Sequence, residues 1–262
     1  IGHNLGSLSV IADLSRELGV PAIFDAEDFH RGEVYWVEQG KEKQVEHYEN
    51  TFIPQLTGVT AASPLIAHEY CKLYPEIEAV PVNNAFPSRK TKKPSTQTGP
   101  LKIVWFSQVT GLGRGLQEFI NGMNLVQNIP IHFEIIGQAN AEIVSALSGL
   151  KVSQNHQIVF TAPMPESKLL EYLTTFEIGL TIEIPVPKSR DICRANKLYT
   201  YPIAGCFMFI SMTKGQIEFL EEWPCTGRLV DLNEPQSIGE AISWAQNNRS
   251  QLLEKRIDAW EL

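Results

Sequence analysis

From Leu101 onward, six short apolar runs alternate with six stretches of helical period, and that alternation leaves few folds open. The apolar runs fall near 101–106, 131–136, 157–160, 177–182, 206–210 and 227–231. The helical patterns fall near 114–126, 140–149, 165–175, 195–204, 213–222 and 235–255. Such alternation predicts a six-stranded parallel sheet with helices on both faces. Sheets of this kind bind ligands beyond the carboxyl ends of their strands, where the strand order reverses. The residues just after each strand are therefore the first candidates for function.

The first 86 residues repeat the theme on a smaller scale. "SLSVIADLSREL" (7–18) has a helical period with Ser7 as its expected N-cap. "PAIFDA" (21–26), "GVTAAS" (58–63) and "EAVPVN" (78–83) read as strands. "KEKQVEHYENTFIPQL" (41–56) carries Val45, Tyr48 and Phe52 on one helical face, and Ser63-Pro64 opens another helix with cap and first-turn proline in order. "PSRKTKKPSTQTGP" (87–100) has no periodicity and reads as a solvated hinge. The expected organisation is a Rossmann-like domain over 1–86, a linker over 87–100 and a second Rossmann-like domain over 101–262. Some 85 residues are few for a domain of this kind, and the chain begins at Ile1 inside what reads as a strand. The first domain is expected to be incomplete.

Bulk properties remove several function classes. The net charge is −8 and no long basic block is present, which argues against a nucleic-acid partner. The four cysteines form no CxxC, and "HEYC" (68–71) is not HExxH because Lys72 follows, so no metal is expected. No apolar run approaches the roughly 18 residues that span a bilayer.

Candidate site residues gather at the strand ends. "VWFSQVTGLGRGLQEFI" (104–120) runs from a strand through Gly111, Gly113, Arg114 and Gly115 into a helix. It fits neither the Walker A spacing nor GxGxxG, since Leu116 holds the third glycine's place. Even so, glycines admit close backbone approach, a helix start offers free N–H groups, and arginine adds a forked charge. A tight turn explains the same residues, and both readings stand at this point. Gly137 ends the second strand. "EIPVPKSRDICRANK" (183–197) follows the fourth and carries Glu183, Lys188, Arg190, Asp191, Arg194, Asn196 and Lys197; a surface loop with internal ion pairs is the competing reading. "SMTKGQIEFL" (211–220) follows the fifth, with Ser211 and Thr213 as expected caps, Gly215 for close approach and Glu218 in the first turns. Cations, amides and helix starts together suit an anion that also bears hydroxyls, such as a nucleotide-diphosphate sugar or a mononucleotide.

These stretches, with "FDAEDFHRGE" (24–33), "ASPLIAHEYCKLYP" (62–75), "VPVNNAFP" (80–87), "RDICRANKLYTYPIAGCFMFIS" (190–211) and "GQIEFLEEWPCTGRLVD" (215–231), resemble in order the family-4 (group 1) retaining glycosyltransferases of the two-Rossmann, GT-B fold. The resemblance runs through the whole chain. It implies a C-terminal domain that binds a nucleotide-sugar donor and an acceptor on the side of the N-terminal domain. Arg114 then takes the second place of the family's basic pair against the donor phosphates. Ser107-Gln108 stands where Gly-Arg is common, so one cation is lost. Asn196-Lys197 matches "NKxxEY", but Thr200 replaces the glutamate that grips the ribose, so that the hold on a ribose is either reduced or supplied by Glu183 or Glu218. Glu27 aligns with a histidine found in many members and is the expected catalytic residue, acting on a hydroxyl or binding a sugar, with a helix-start carboxylate as the competing reading; Asp28 and His30 are near it.

The resemblance implies a transferase in glycan, lipid or cell-envelope polysaccharide biosynthesis. Its partners would be a nucleotide-sugar donor and a sugar, glycan or lipid-linked acceptor, with no cofactor and no metal. A cytoplasmic location follows, with peripheral association at the inner membrane face left open. A nucleotide-sugar epimerase of the same fold and a non-catalytic nucleotide- or sugar-binding module are the two alternatives.

Overall fold

The computed structural model describes residues 1–86 and 91–262. It divides into two compact units: residues 1–85 with 185–194 and 213–215, and residues 86–184 with 195–212 and 216–262.

The first unit holds strands β1 (Gly2–His3), β2 (Ile23–Ala26), β3 (Gly58–Ala61) and β4 (Glu78–Pro81), all parallel and in the order β1-β2-β3-β4. Helices α1 (Leu8–Leu18), α2 (Val34–Glu38), α3 (Glu42–Phe52) and α4 (Pro64–Leu73) come between them. Leu8 and Ala12 of α1, Phe24 and Ala26 of β2, Val59 and Ala61 of β3, and Ile66 and Tyr70 of α4 share one core. Ser63 caps α4 as expected, its Oγ accepting from the Ile66 N–H at 3.1 Å. Ser7 does not cap α1: a short 3-10 turn precedes the helix, and the Ser7 hydroxyl donates to Asn4 O instead.

The second unit begins its sheet with β5 (Leu101–Val109), followed by α5 (Leu116–Met123), β6 (Ile131–Gln138), α6 (Ala141–Gly149), β7 (His156–Thr161), α7 (Glu166–Leu173) and β8 (Ile178–Thr181). A helix within the loop after β8, α8 (Lys188–Ile192), belongs to the first unit. The chain continues with α9 (Lys197–Ile203), β9 (Phe207–Ser211), α10 (Lys214–Glu222), β10 (Gly227–Val230), α11 (Pro235–Asn247) and α12 (Arg249–Glu261). All six strands are parallel, in the order β10-β9-β8-β5-β6-β7. The order reverses between β5 and β8.

Alternation along the strands serves both faces. Leu101, Ile103 and Trp105 of β5 join the core with α5 and α11, whereas Val104 joins the core with α7 and α9. The helix expected over 235–255 is two helices, because Asn248 leaves helical geometry (φ −124°, ψ 44°) and its amide donates to Trp244 O.

The expected linker departs from its composition. Residues 87–90 lie outside the described residues. From Thr91 on, the segment is fastened within the second unit. The Thr91 hydroxyl donates to Ile203 O and accepts from Trp260 Nε1. Pro94 is buried, and the Arg256 guanidinium, itself buried, reaches Ser95 O, Gly205 O and Phe176 O. Polar main-chain groups here are matched by donors far along the chain, which the local sequence does not contain.

Candidate functional site

In the second unit the carboxyl ends of β5 and β8 lie side by side at the reversal of strand order. Between β5 and α5 the chain turns through two left-handed residues, Gly113 (φ 72°) and Gly115 (φ 79°). Gly115 has a further reason to lack a side chain: a Cβ there would stand 3.0 Å from Leu232 and 3.1 Å from Ile182. At Gly113 the space is open, so only the backbone angle favours glycine. The Gly113 N–H donates to Gln117 Oε1 at 3.2 Å.

This turn aims Arg114 at the end of β8. Arg114 Nη2 donates to Glu183 Oε1 at 3.1 Å, and Lys197 Nζ, at the start of α9, lies 3.4 Å from the same oxygen. Both cations stand over the ring of Trp105, Arg114 Cζ at 5.9 Å and Lys197 Nζ at 5.3 Å from its centroid. Lys197, Glu183 and Trp105 are buried and Arg114 is partly exposed. Trp105 Nε1 and Arg114 Nε are buried donors with no hydrogen-bond partner among the described residues. Most buried polar atoms find partners, so two unused donors beside two cations form a surface suited to an acceptor-rich anion. Ser211 ties the ends of β8 and β9 together: its Oγ accepts from the Glu183 N–H at 2.8 Å and lies 2.9 Å from Glu183 O. It therefore fixes Glu183 rather than capping α10, as the sequence suggested. Thr213 does not cap either; its buried hydroxyl has no partner among the described residues.

The other expected donor-site residues fall elsewhere or serve packing. Gly137 lets β6 pass the loop after β5, where a Cβ would meet Thr110 Oγ1 at 2.6 Å and Ser107 O at 2.8 Å. Gly215 admits the Cys193 carbonyl, 2.3 Å from where its Cβ would be. Gly215 and Arg190 both belong to the first unit, so they do not join Arg114, Glu183 and Lys197 within the second. In α8, Lys188 pairs with Glu69, and Asp191 pairs with Lys214 at 2.5 Å. Asn196 opens α9, and the Thr200 hydroxyl donates back to Asn196 O at 3.0 Å. Glu218 sits in the middle of α10. Sequence reasoning missed Trp105. Its signal was present, since it is the one tryptophan in the strand that leads to the glycine turn.

In the first unit, Glu27 follows β2 with its side chain half exposed, 3.7 Å from His3 Nδ1. The parallel register sets His3 opposite Asp25, and His3 Nδ1 lies 2.8 Å from Asp25 Oδ2. His3, Asp25 and Glu27 thus bring metal-ligand atom types within 4.8 Å of one another, although the His3–Asp25 hydrogen bond and the longer His3–Glu27 contact account for the arrangement. Asp28, beside Glu27, keeps solvent access, yet the protein packed round it and the charges of Glu33 and Glu27 push its carboxyl up to about 6. The His30 ring and a hydrogen bond with Ser189 act in the opposite sense. His30 is buried, with Nδ1 2.5 Å from Glu33 Oε1 and Nε2 without a partner among the described residues.

The chain matches no protein-family model and no curated protein sequence. Solved structures do match. A glycosyltransferase from Rickettsia africae ESF-5 is 12% identical with a TM-score of 0.67, over 98% of this chain and 75% of that one. TarM is 14% identical with a TM-score of 0.75, over 99% of this chain and 50% of that one. Anabaena HepE, solved in complex with UDP, is 14% identical with a TM-score of 0.73, over 98% and 71%. At such identities the likeness is one of fold: two parallel α/β sheets of the glycosyltransferase type named GT-B. Among the described residues no helix is long and apolar enough to cross a membrane.

Proposed function

We propose that this chain acts as a glycosyltransferase that takes its sugar from a nucleotide-diphosphate donor. The observation that carries this reading is the convergence of Arg114 and Lys197 over Trp105 at the reversal of strand order. Two fixed cations in a largely buried setting stabilise the charge that develops on a departing diphosphate, because they need no reorganisation as it forms. The second unit is the proposed donor-binding part and the first unit the acceptor-side part. HepE, of the same fold, is described in complex with UDP, and WaaG, 12% identical with a TM-score of 0.61, as a glycosyltransferase involved in lipopolysaccharide biosynthesis. Those descriptions favour a uridine nucleotide among the donors to try first, and a glycan or lipid-linked acceptor. Retention of configuration and a cytoplasmic setting are part of the proposal.

Glu27 is the residue proposed to meet the acceptor hydroxyl. Asp28, which titrates near 6, is a second acid able to exchange a proton there. A non-catalytic nucleotide-binding module is the second reading. It is favoured by Thr200, which turns its hydroxyl onto its own helix and offers no carboxylate to a ribose.

A thermal-shift panel of nucleoside diphosphates and nucleotide sugars tests the first reading, with Arg114→Ala as control. A ligand at a hundredfold excess over Kd adds about 2.7 kcal/mol of apparent stability. Stabilisation that Arg114→Ala abolishes supports the site, and release of free nucleoside diphosphate with an acceptor present separates enzyme from binding module. No stabilisation by any member of the panel counts against both.

A further inference from the structure

We propose that Glu183 is the internal counter-ion of the phosphate site, and that a diphosphate binds by displacing its carboxylate from Arg114 and Lys197. This rests on the donor-site reading above and adds to it how the site is held when no donor is bound.

A single oxygen, Glu183 Oε1, faces both cations, at 3.1 Å from Arg114 Nη2 and 3.4 Å from Lys197 Nζ. Two cations brought this close in a buried place repel each other unless an anion stands between them. Glu183 supplies that anion. Its backbone is pinned by Ser211 through the N–H, with the same Oγ close to the carbonyl, so the carboxylate moves by rotation of the side chain while the backbone stays in place. The cations have a second support that does not depend on the carboxylate: the Trp105 ring lies beneath both, and a cation over an aromatic face is attracted by its quadrupole. They therefore keep their places when the carboxylate moves.

The donors point the same way. One carboxylate oxygen leaves Arg114 Nε and the Trp105 indole N–H unused. A diphosphate presents several acceptor oxygens and more negative charge than one carboxylate, so it satisfies what Glu183 does not. The exchange also sets selectivity: a weak or singly charged anion has to compete with a resident carboxylate, whereas a diphosphate outcompetes it.

The test uses the 262-residue chain and calorimetry at fixed salt, with two probes, UDP and inorganic pyrophosphate. Glu183→Gln keeps the size of the side chain and removes its charge. The expected result is that it binds both probes about tenfold more tightly than the parent. Unchanged affinity for both overturns the proposal. Weaker UDP binding with pyrophosphate unaffected also overturns it, and assigns Glu183 to the ribose hydroxyls. Arg114→Ala and Lys197→Ala are run beside it. If neither loses affinity, or if the parent binds neither probe, it is the donor-site reading that fails and the counter-ion role fails with it. Should Glu183→Gln not fold, the unsubstituted chain still decides. The carboxylate carbon resonance of Glu183 should shift when pyrophosphate saturates the site, and a resonance that stays in place overturns the displacement.

Discussion

Arg114 donates to Glu183 at 3.1 Å although the two residues stand 69 apart in sequence. The pair joins the loop after β5 to the end of β8 across the reversal of strand order, where a parallel sheet opens toward ligand. Arg114→Ala should therefore cost binding more than stability. Glu183 keeps Lys197 as a partner, so we expect a stability loss of about 1 kcal/mol or less. Nucleoside-diphosphate affinity should fall by about 2 kcal/mol if the contact is a desolvated charge-assisted pair. Calorimetry beside a urea midpoint checks both, and parent-like affinity would reduce the loop to a turn.

Gly113 and Gly115 should not respond alike to alanine. Both need a left-handed backbone, which costs an L-residue about 1–2 kcal/mol. At Gly115 the new methyl group also presses on Leu232 and Ile182. Gly115→Ala should lower the stability of the second unit by more than Gly113→Ala, with a difference of about 1–3 kcal/mol. Equal urea midpoints for the two variants would contradict the packing described here.

Asp28 should give stability a pH dependence of defined sign. Its folded carboxyl is raised from 3.8 to about 6, mainly because the protein packed round it removes part of its hydration. Between these values the folded chain holds a proton that the unfolded chain has lost, so this group's contribution is greatest below 3.8 and falls as pH rises through 6. Asp28→Asn removes the charge. The variant should be more stable than the parent at pH 7 and close to it at pH 4, as read by urea midpoints across that range. A parent that gains relative to the variant as pH rises would reverse the assignment.

Thr200→Glu restores an acid in the first turns of α9. If the ribose hydroxyls of a donor reach this helix, nucleotide affinity should rise, by about 1.5–3 kcal/mol for a well-made charge-assisted bond. A fall in affinity shows that the carboxylate meets the phosphates instead of the ribose.

Arg256 ties Ser95 to the rest of the second unit, donating to Ser95 O, Gly205 O and Phe176 O. Arg256→Met keeps the aliphatic stem but leaves those carbonyls short of a donor. A loss of about 2–4 kcal/mol is expected, together with faster tryptic cleavage at Lys92 and Lys93. Cleavage there at the parent rate would mean that the strap is held by Thr91 and Pro94 alone.

The sequence by itself determined the strands, the longer helices and their order, but not the short helices α2 and α8 or the break at Asn248. Hydrophobic period is a local property: β5, β6, β8 and β9 bury apolar runs that are visible without any partner, while the edge strands β7 and β10 are half-buried and read more weakly. The glycine turn was legible too, because left-handed backbone angles select glycine residue by residue. Parallel strands joined by helices then left little freedom in the sheet. Tertiary structure alone decided which charges meet. In sequence Glu183 is one member of a polar loop and a candidate for the ribose, and only the adjacency of β5 and β8 makes it the shared partner of Arg114 and Lys197. The same adjacency makes Trp105 a platform for two cations instead of one more core aromatic. Arg190 and Gly215, close in sequence to Lys197, pack with the first unit. The segment after Thr91 has the composition of a free linker, yet its carbonyls are matched by Arg249 and Arg256 about 150 residues later. Pairings over such separations depend on the register of distant strands and helices, which no local pattern encodes.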